Sequence, residues 1–166
     1  CRQSVSNSEE YILALKKEFA AISTAEKVAQ SLYKWAAGNR GLKRTVAVEL
    51  QENIELIRLY VETESGYDQL IPKLKDNAYR GALSEGFNFN SLKRNKIDSQ
   101  STKGQKQLEK YHGWETQKVF ENIYSKIAVV KEAIEIKDNK KPLRLGVRLH
   151  NIFKLSVMLS NHIGSK

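Results

Sequence analysis

The sequence predicts an all-α protein: an up-and-down antiparallel bundle of four long helices plus one short helix, folded as a single domain over residues 1–166. Three observations carry that expectation. Apolar residues recur at steps of three and four through four long stretches, the spacing that lines them up on one helical face. Only two prolines interrupt 166 residues. No alternating, β-branched segment of useful length occurs. A chain of this size is one domain and buries a real core without disulfides or metal.

The first helix is expected from Ser8 to Ala37, through Ile12, Leu15, Phe19, Ile22, Ala29, Tyr33 and Ala36. Ser8 reads as its cap, with Glu9 and Glu10 in the first turn, and Gly38-Asn39 as its stop. At about 45 Å it needs partners along its length. The second helix, Leu42 to Glu64, repeats the stripe through Val46, Leu50, Ile54, Ile57 and Val61, and Ser65-Gly66 ends it. The short third helix spans Ile71 to Glu85, with Pro72 in its first turn, where a missing N–H costs little. Gly86 to Gly113 has no sustained period and reads as a long basic loop, functional or disordered. The fourth helix runs from Trp114 to Ile136 through Val119, Phe120, Ile123, Ile127, Val130 and Ile134. Pro142 opens the last, which reaches Ile163 through Leu145, Leu149, Ile152, Phe153, Ser156 and Leu159. Short turns between long helices make neighbours antiparallel.

The formal net charge is +9, and it is unevenly placed. Between Gly86 and Gly113 six cations (Lys93, Arg94, Lys96, Lys103, Lys106, Lys110) face two anions. Between Lys137 and Arg148 five cations face one. The rest of the chain is close to neutral. Up-and-down topology puts the first turn and the 86–113 loop at the same end, so Arg40, Lys43 and Arg44 are expected to share an end with Lys93, Arg94 and Lys96. The N-termini of the second and fourth helices point there too, adding partial positive charge and free N–H donors. The turn holding Lys137, Lys140 and Lys141 is expected at the opposite end.

The loop mixes these cations with Phe87, Phe89, Tyr111, His112 and Trp114. Aromatic rings beside Lys and Arg suit single-stranded nucleic acid, by stacking plus backbone neutralisation. The competing reading is a hydrophobic plug that tucks Phe87, Phe89 and Trp114 over the end of the bundle. Asn53 breaks the apolar stripe of the second helix, either as a buried residue fixing register or as one turned to water. Glu26 breaks that of the first, and stripe drift turns it outward. Glu109 and His112 have the Glu-x-x-His spacing of di-iron bundles. Such a site needs a second motif, and neither His150 nor His162 follows a Glu at that distance. No metal or other cofactor is expected. No phosphate-binding glycine loop, nucleophile elbow or dinucleotide fingerprint is present.

Arg144 and His150, with five residues between them, weakly resemble the Arg-(x4–6)-His signature of HEPN-type ribonucleases, helical bundles that often cleave RNA as dimers. The match covers seven residues, and Leu145 stands where that family usually has a polar residue. The resemblance implies, as an alternative function, RNA cleavage by Arg144 and His150.

The function expected is therefore a non-catalytic binding or assembly module, not an enzyme, whose basic end (Arg40, Lys43, Arg44, Lys93, Arg94, Lys96) takes an anionic partner, nucleic acid among the candidates. A purely structural helical protein is the remaining alternative. A homodimer through a leftover apolar face stays open. No run approaches the ~18 apolar residues of a membrane span. One cysteine, Cys1, allows no intrachain disulfide, which fits the cytoplasm. Its place at the start of the chain also admits a lipoprotein or a trimmed N-terminus.

Overall fold

A computed structural model of the chain describes residues 23–63, 66–103, 105–136 and 144–165. Every regular element among them is helical. The α-helices are α1 (Ser23–Ala37), α2 (Leu42–Thr63), α3 (Tyr67–Leu70), α4 (Asn77–Ser84), α5 (Ser99–Thr102), α6 (Thr116–Glu135) and α7 (Leu145–Gly164). Single 3-10 turns lie at Ile71–Lys73 and Phe89–Ser91, and a two-turn 3-10 helix at Lys106–Tyr111. The protein is an all-α helical bundle: α1, α2, α6 and α7 are the long helices and α4 is the short one. The expected helix before Ser23, the Glu26 side chain, the Ser65 stop and the Lys137–Pro142 turn lie outside the described residues.

The bundle is organised around α7, which packs against α1, α2 and α6. Every residue from Ile152 to Ser160 is buried, so this stretch is surrounded on all sides. Leu32 and Ala36 of α1, Val46, Leu50, Ile54 and Ile57 of α2, and Val119, Phe120, Ile123 and Ile127 of α6 close around it. In α2 and α6 these are the stripes the spacing predicts; in α1 the buried face runs through Leu32 and Ala36, and Tyr33, expected on it, is 61 % exposed. Thr116, which opens α6, meets His162 near the end of α7, so those two helices run antiparallel. Lys43, just past the end of α1, bonds Ser91, and Lys93 bonds Ser165 just past α7, so α1 and α7 finish at the same end and run the same way.

The third helix departs from expectation. Ile71 to Glu85 is not continuous: a 3-10 turn ends at Lys73, Leu74 is extended, and α4 begins only at Asn77. The cause is Asn53, which is fully buried. Its Nδ2 donates to the Lys75 carbonyl at 2.7 Å, and the Lys75 N–H donates to its Oδ1 at 2.7 Å. Both polar backbone groups of Lys75 are spent on α2 and cannot join a helical ladder. Asn53→Leu should therefore cost about 2 kcal/mol, because two buried backbone groups lose their partner. Urea unfolding measures this. A loss below about 0.5 kcal/mol would place Asn53 among ordinary surface positions.

Over its described residues the segment from 86 to 113 is not an open loop. It is folded in short turns and buries Phe89, Leu92, Ile97, Leu108 and Tyr111. It shows no period because each turn points its apolar residue from a different backbone direction. Phe89 meets Phe120 at 5.1 Å and Tyr79 at 5.3 Å, and Tyr79 stacks on Tyr124 at 4.2 Å. Phe87 meets Phe89 edge-on at 5.0 Å. Phe87 and Phe89 thus serve as the hydrophobic plug.

Candidate anion-binding end

Two lysines tie the 86–113 segment to the bundle. Lys43, in the first turn of α2, donates from Nζ to the Ser91 carbonyl at 3.1 Å. Lys93 donates to the carbonyl of Ser165, just past α7. Thr116, opening α6, has its hydroxyl 2.8 Å from the Lys93 carbonyl. The start of α2, residues 91–93, the start of α6 and the end of α7 therefore meet at one end of the bundle. Lys43 and Lys93 are half-buried there, and their ammonium groups satisfy backbone carbonyls.

Arg40, Arg44, Arg94 and Lys96 are exposed beside these pins. The ion pairs among the described residues lie elsewhere, linking Arg58 to Glu55, Lys75 to Glu52, and both Arg80 and Lys131 to Asp76. The six basic residues singled out in the sequence thus divide into two structural pins and four cations directed to solvent. Lys103, Lys106 and Lys110 are exposed further along the segment. Lys137, Lys140 and Lys141 lie outside the described residues.

Beneath the basic segment lies a buried network that the sequence did not mark. His162 is 2 % exposed. Its Nδ1 is 3.1 Å from Ser101 Oγ and its Nε2 is 3.2 Å from Thr116 Oγ1. Ser101 Oγ is also 2.8 Å from Asp98 Oδ1; because a neutral imidazole has a single N–H, either Ser101 or Thr116 gives its hydroxyl hydrogen to the ring instead of to Asp98 or the Lys93 carbonyl. Burial holds His162 below the ordinary histidine range; a hydrogen bond with the Asn95 backbone opposes this, Lys93 reinforces it, and Asp98 opposes it. The Ser101 backbone N–H and hydroxyl hold Asp98 below the usual carboxylate range. The group is no nucleophilic triad, because Ser101 lies between carboxylate and imidazole and the adjoining cavity is only about 10 Å³. Its role is to fasten residues 93–101 to α6 and α7. The one available signal was the α7 sequence, in which Lys154 is the sole charge from Leu149 to Ser165 apart from histidine.

Trp114 precedes α6 by two residues and is half-buried against the core. Its carbonyl accepts from the Ile97 N–H at 2.9 Å, and the Gly113 N–H donates to the Ile97 carbonyl at 2.9 Å. Gly113 has φ +80, which suits a glycine at this clasp. The Trp114 ring meets Tyr111 edge-to-face at 4.9 Å, and Lys118 Nζ sits 4.2 Å from the Trp114 ring centroid.

Arg144 is exposed and left-handed at φ 44, and it is the N-cap of α7, one residue outside the helix that carries His150. Glu109 is exposed, and His112 Nε2 lies 3.1 Å from Thr102 Oγ1. Among the described residues no group of three or more His, Cys, Asp or Glu is arranged to hold a metal ion. No helix among them is long and apolar enough to cross a membrane.

No protein-family profile matches this chain, and searches of curated proteins and of solved structures returned no significant similarity.

Proposed function

We propose that the protein is a non-catalytic binding module whose basic end holds an anionic polymer, with nucleic acid as the leading candidate. The observation that supports this most is the division of labour among its cations. Lys43 and Lys93 are bound to carbonyls, while Arg40, Arg44, Arg94 and Lys96 are held beside them with no described acid paired to them. A local cluster of uncompensated charge attracts polyanions.

Binding through this end should be weak and steeply salt-dependent, with Kd about 10⁻⁴ to 10⁻⁶ M at physiological salt. Replacing Arg40, Arg44, Arg94 and Lys96 with Gln should remove most of the salt dependence, because each lost phosphate contact lowers the slope by roughly 0.7 to 0.9. Replacing Lys137, Lys140 and Lys141 instead should leave the slope nearly unchanged. Equal effects from both sets would mean that net charge alone matters. RNA incubated with the protein should stay intact; cleavage abolished by His150→Ala would transfer the reading to a ribonuclease. A homodimer would use the open face bearing exposed Tyr33 and Leu59, and sedimentation measures that directly.

A further inference from the structure

The geometry points to Trp114 as a nucleobase-stacking site, so that the anionic partner of the basic end is single-stranded nucleic acid. This rests on the polyanion reading above and narrows its ligand. Of the loop aromatics, Phe89 is sealed in the core and Phe87 leans edge-on against it. Trp114 is different. One side packs on the core and on Tyr111, while an exposed lysine, Lys118, lies over its ring at 4.2 Å. A cation over an indole marks a face that solvent reaches and that attracts positive charge. The lysine is a mobile cover: its ammonium can leave the ring for a phosphate while a base takes its place on the π-face. Base stacking and counterion release offset the cation–π contact that the lysine gives up.

Position supports the same assignment. The paired backbone hydrogen bonds between Ile97 and residues 113–114 fix Trp114 next to Lys96, which follows Arg94 by two residues. A stacking face and two exposed cations are therefore held on a rigid clasp. Single strands require this pairing of a ring with flanking positive charge, whereas a duplex hides its base faces and an inorganic polyanion has none.

The test uses the full chain carrying Trp35→Phe, which leaves Trp114 as the only tryptophan. It is titrated with a short oligothymidylate and, separately, with inorganic polyphosphate of matching charge. Oligothymidylate should quench Trp114 emission on binding, and polyphosphate should bind without comparable quenching. Trp114→Leu should weaken oligothymidylate about tenfold and leave polyphosphate unchanged. The quenching experiment stands even if Trp114→Leu fails to fold, because it uses the intact ring. If both ligands bind equally and neither quenches Trp114, stacking is wrong and a bare polyanion site remains. If neither ligand binds, the polyanion reading falls and this assignment falls with it.

Discussion

Glu49→Ala should lower stability by about 3 kcal/mol, the largest loss expected from any single polar side chain in the bundle. Glu49 lies on α2 and is 4 % exposed. Its Oε2 accepts from the Ala78 N–H at 2.6 Å and its Oε1 from the Tyr79 N–H at 2.9 Å. These are first-turn donors of α4, which a helix cannot satisfy internally. The usual supplier is the N-cap side chain, but Asp76 makes no cap bond. Its carboxylate is occupied by Arg80 at 2.6 Å and Lys131 at 2.9 Å. Burial raises the Asp76 pKa, yet the hydrogen bonds and charges of Lys131 and Arg80 outweigh it and hold the group below the usual range. Glu49 thus caps α4 from another helix. Removing it orphans two N–H donors beside the stacked Tyr79–Tyr124 pair and breaks two charge-assisted bonds. Glu49→Gln keeps one acceptor and should cost about half as much. Thermal unfolding should fall by roughly 10 °C for Glu49→Ala in a chain of this size. A change of one or two degrees would show that α4 does not depend on the cap.

Glu49 also shows where sequence reading stops. The stripe Val46, Leu50, Ile54 and Ile57 was legible because neighbours on one helix obey a period, and that period follows from backbone geometry alone. Asn53 shows in the sequence as a break in that stripe, open to burial or to water, and Glu49 lies beside it as an ordinary polar residue. What makes them structural is a turn more than twenty residues away that needs their oxygens and amide. No local pattern encodes a cap delivered across the fold. The same holds for residues 86–113, whose apolar positions face the core from several short turns. The end shared by the first turn and this segment was legible, since it follows from helix count and short connections. That Lys43 and Lys93 spend their charge on carbonyls was not, because a pin and a free cation look identical in a sequence. Likewise, the spacing of Arg144 and His150 was visible, but the left-handed cap at Arg144 depends on how α7 begins.

His162→Gln should flatten the acid side of the stability profile just below the ordinary histidine value of about 6.5. The wild-type imidazole is held below its ordinary value, chiefly by burial. The native state therefore binds fewer protons than the unfolded chain in the interval between those two values, and stability falls as pH falls. The contribution of neutral His162 is fully present above the unfolded value near 6.5 and is lost as pH drops through the depressed native value. Protonation would place a charge under residues 93–101, facing Lys93 on one side and Asp98 on the other, with Ser101 and Thr116 on the two ring nitrogens. Asp76 and Asp98, both held low, lose their contributions only in more acid solution, so they do not obscure the interval. Gln has no titrating group and should remove the slope at a constant cost of about 1–2 kcal/mol, since its amide serves the two hydroxyls imperfectly. The check is the urea midpoint of both chains at several pH values. Parallel curves would mean that His162 does not titrate differently in the folded state. If instead the difference narrows on acidification, the histidine is the pH-sensitive fastening of the basic segment. Since Arg94 and Lys96 are carried on that segment, oligothymidylate affinity should then fall with acid in the wild type more than in His162→Gln, the reverse of what added positive charge alone would produce.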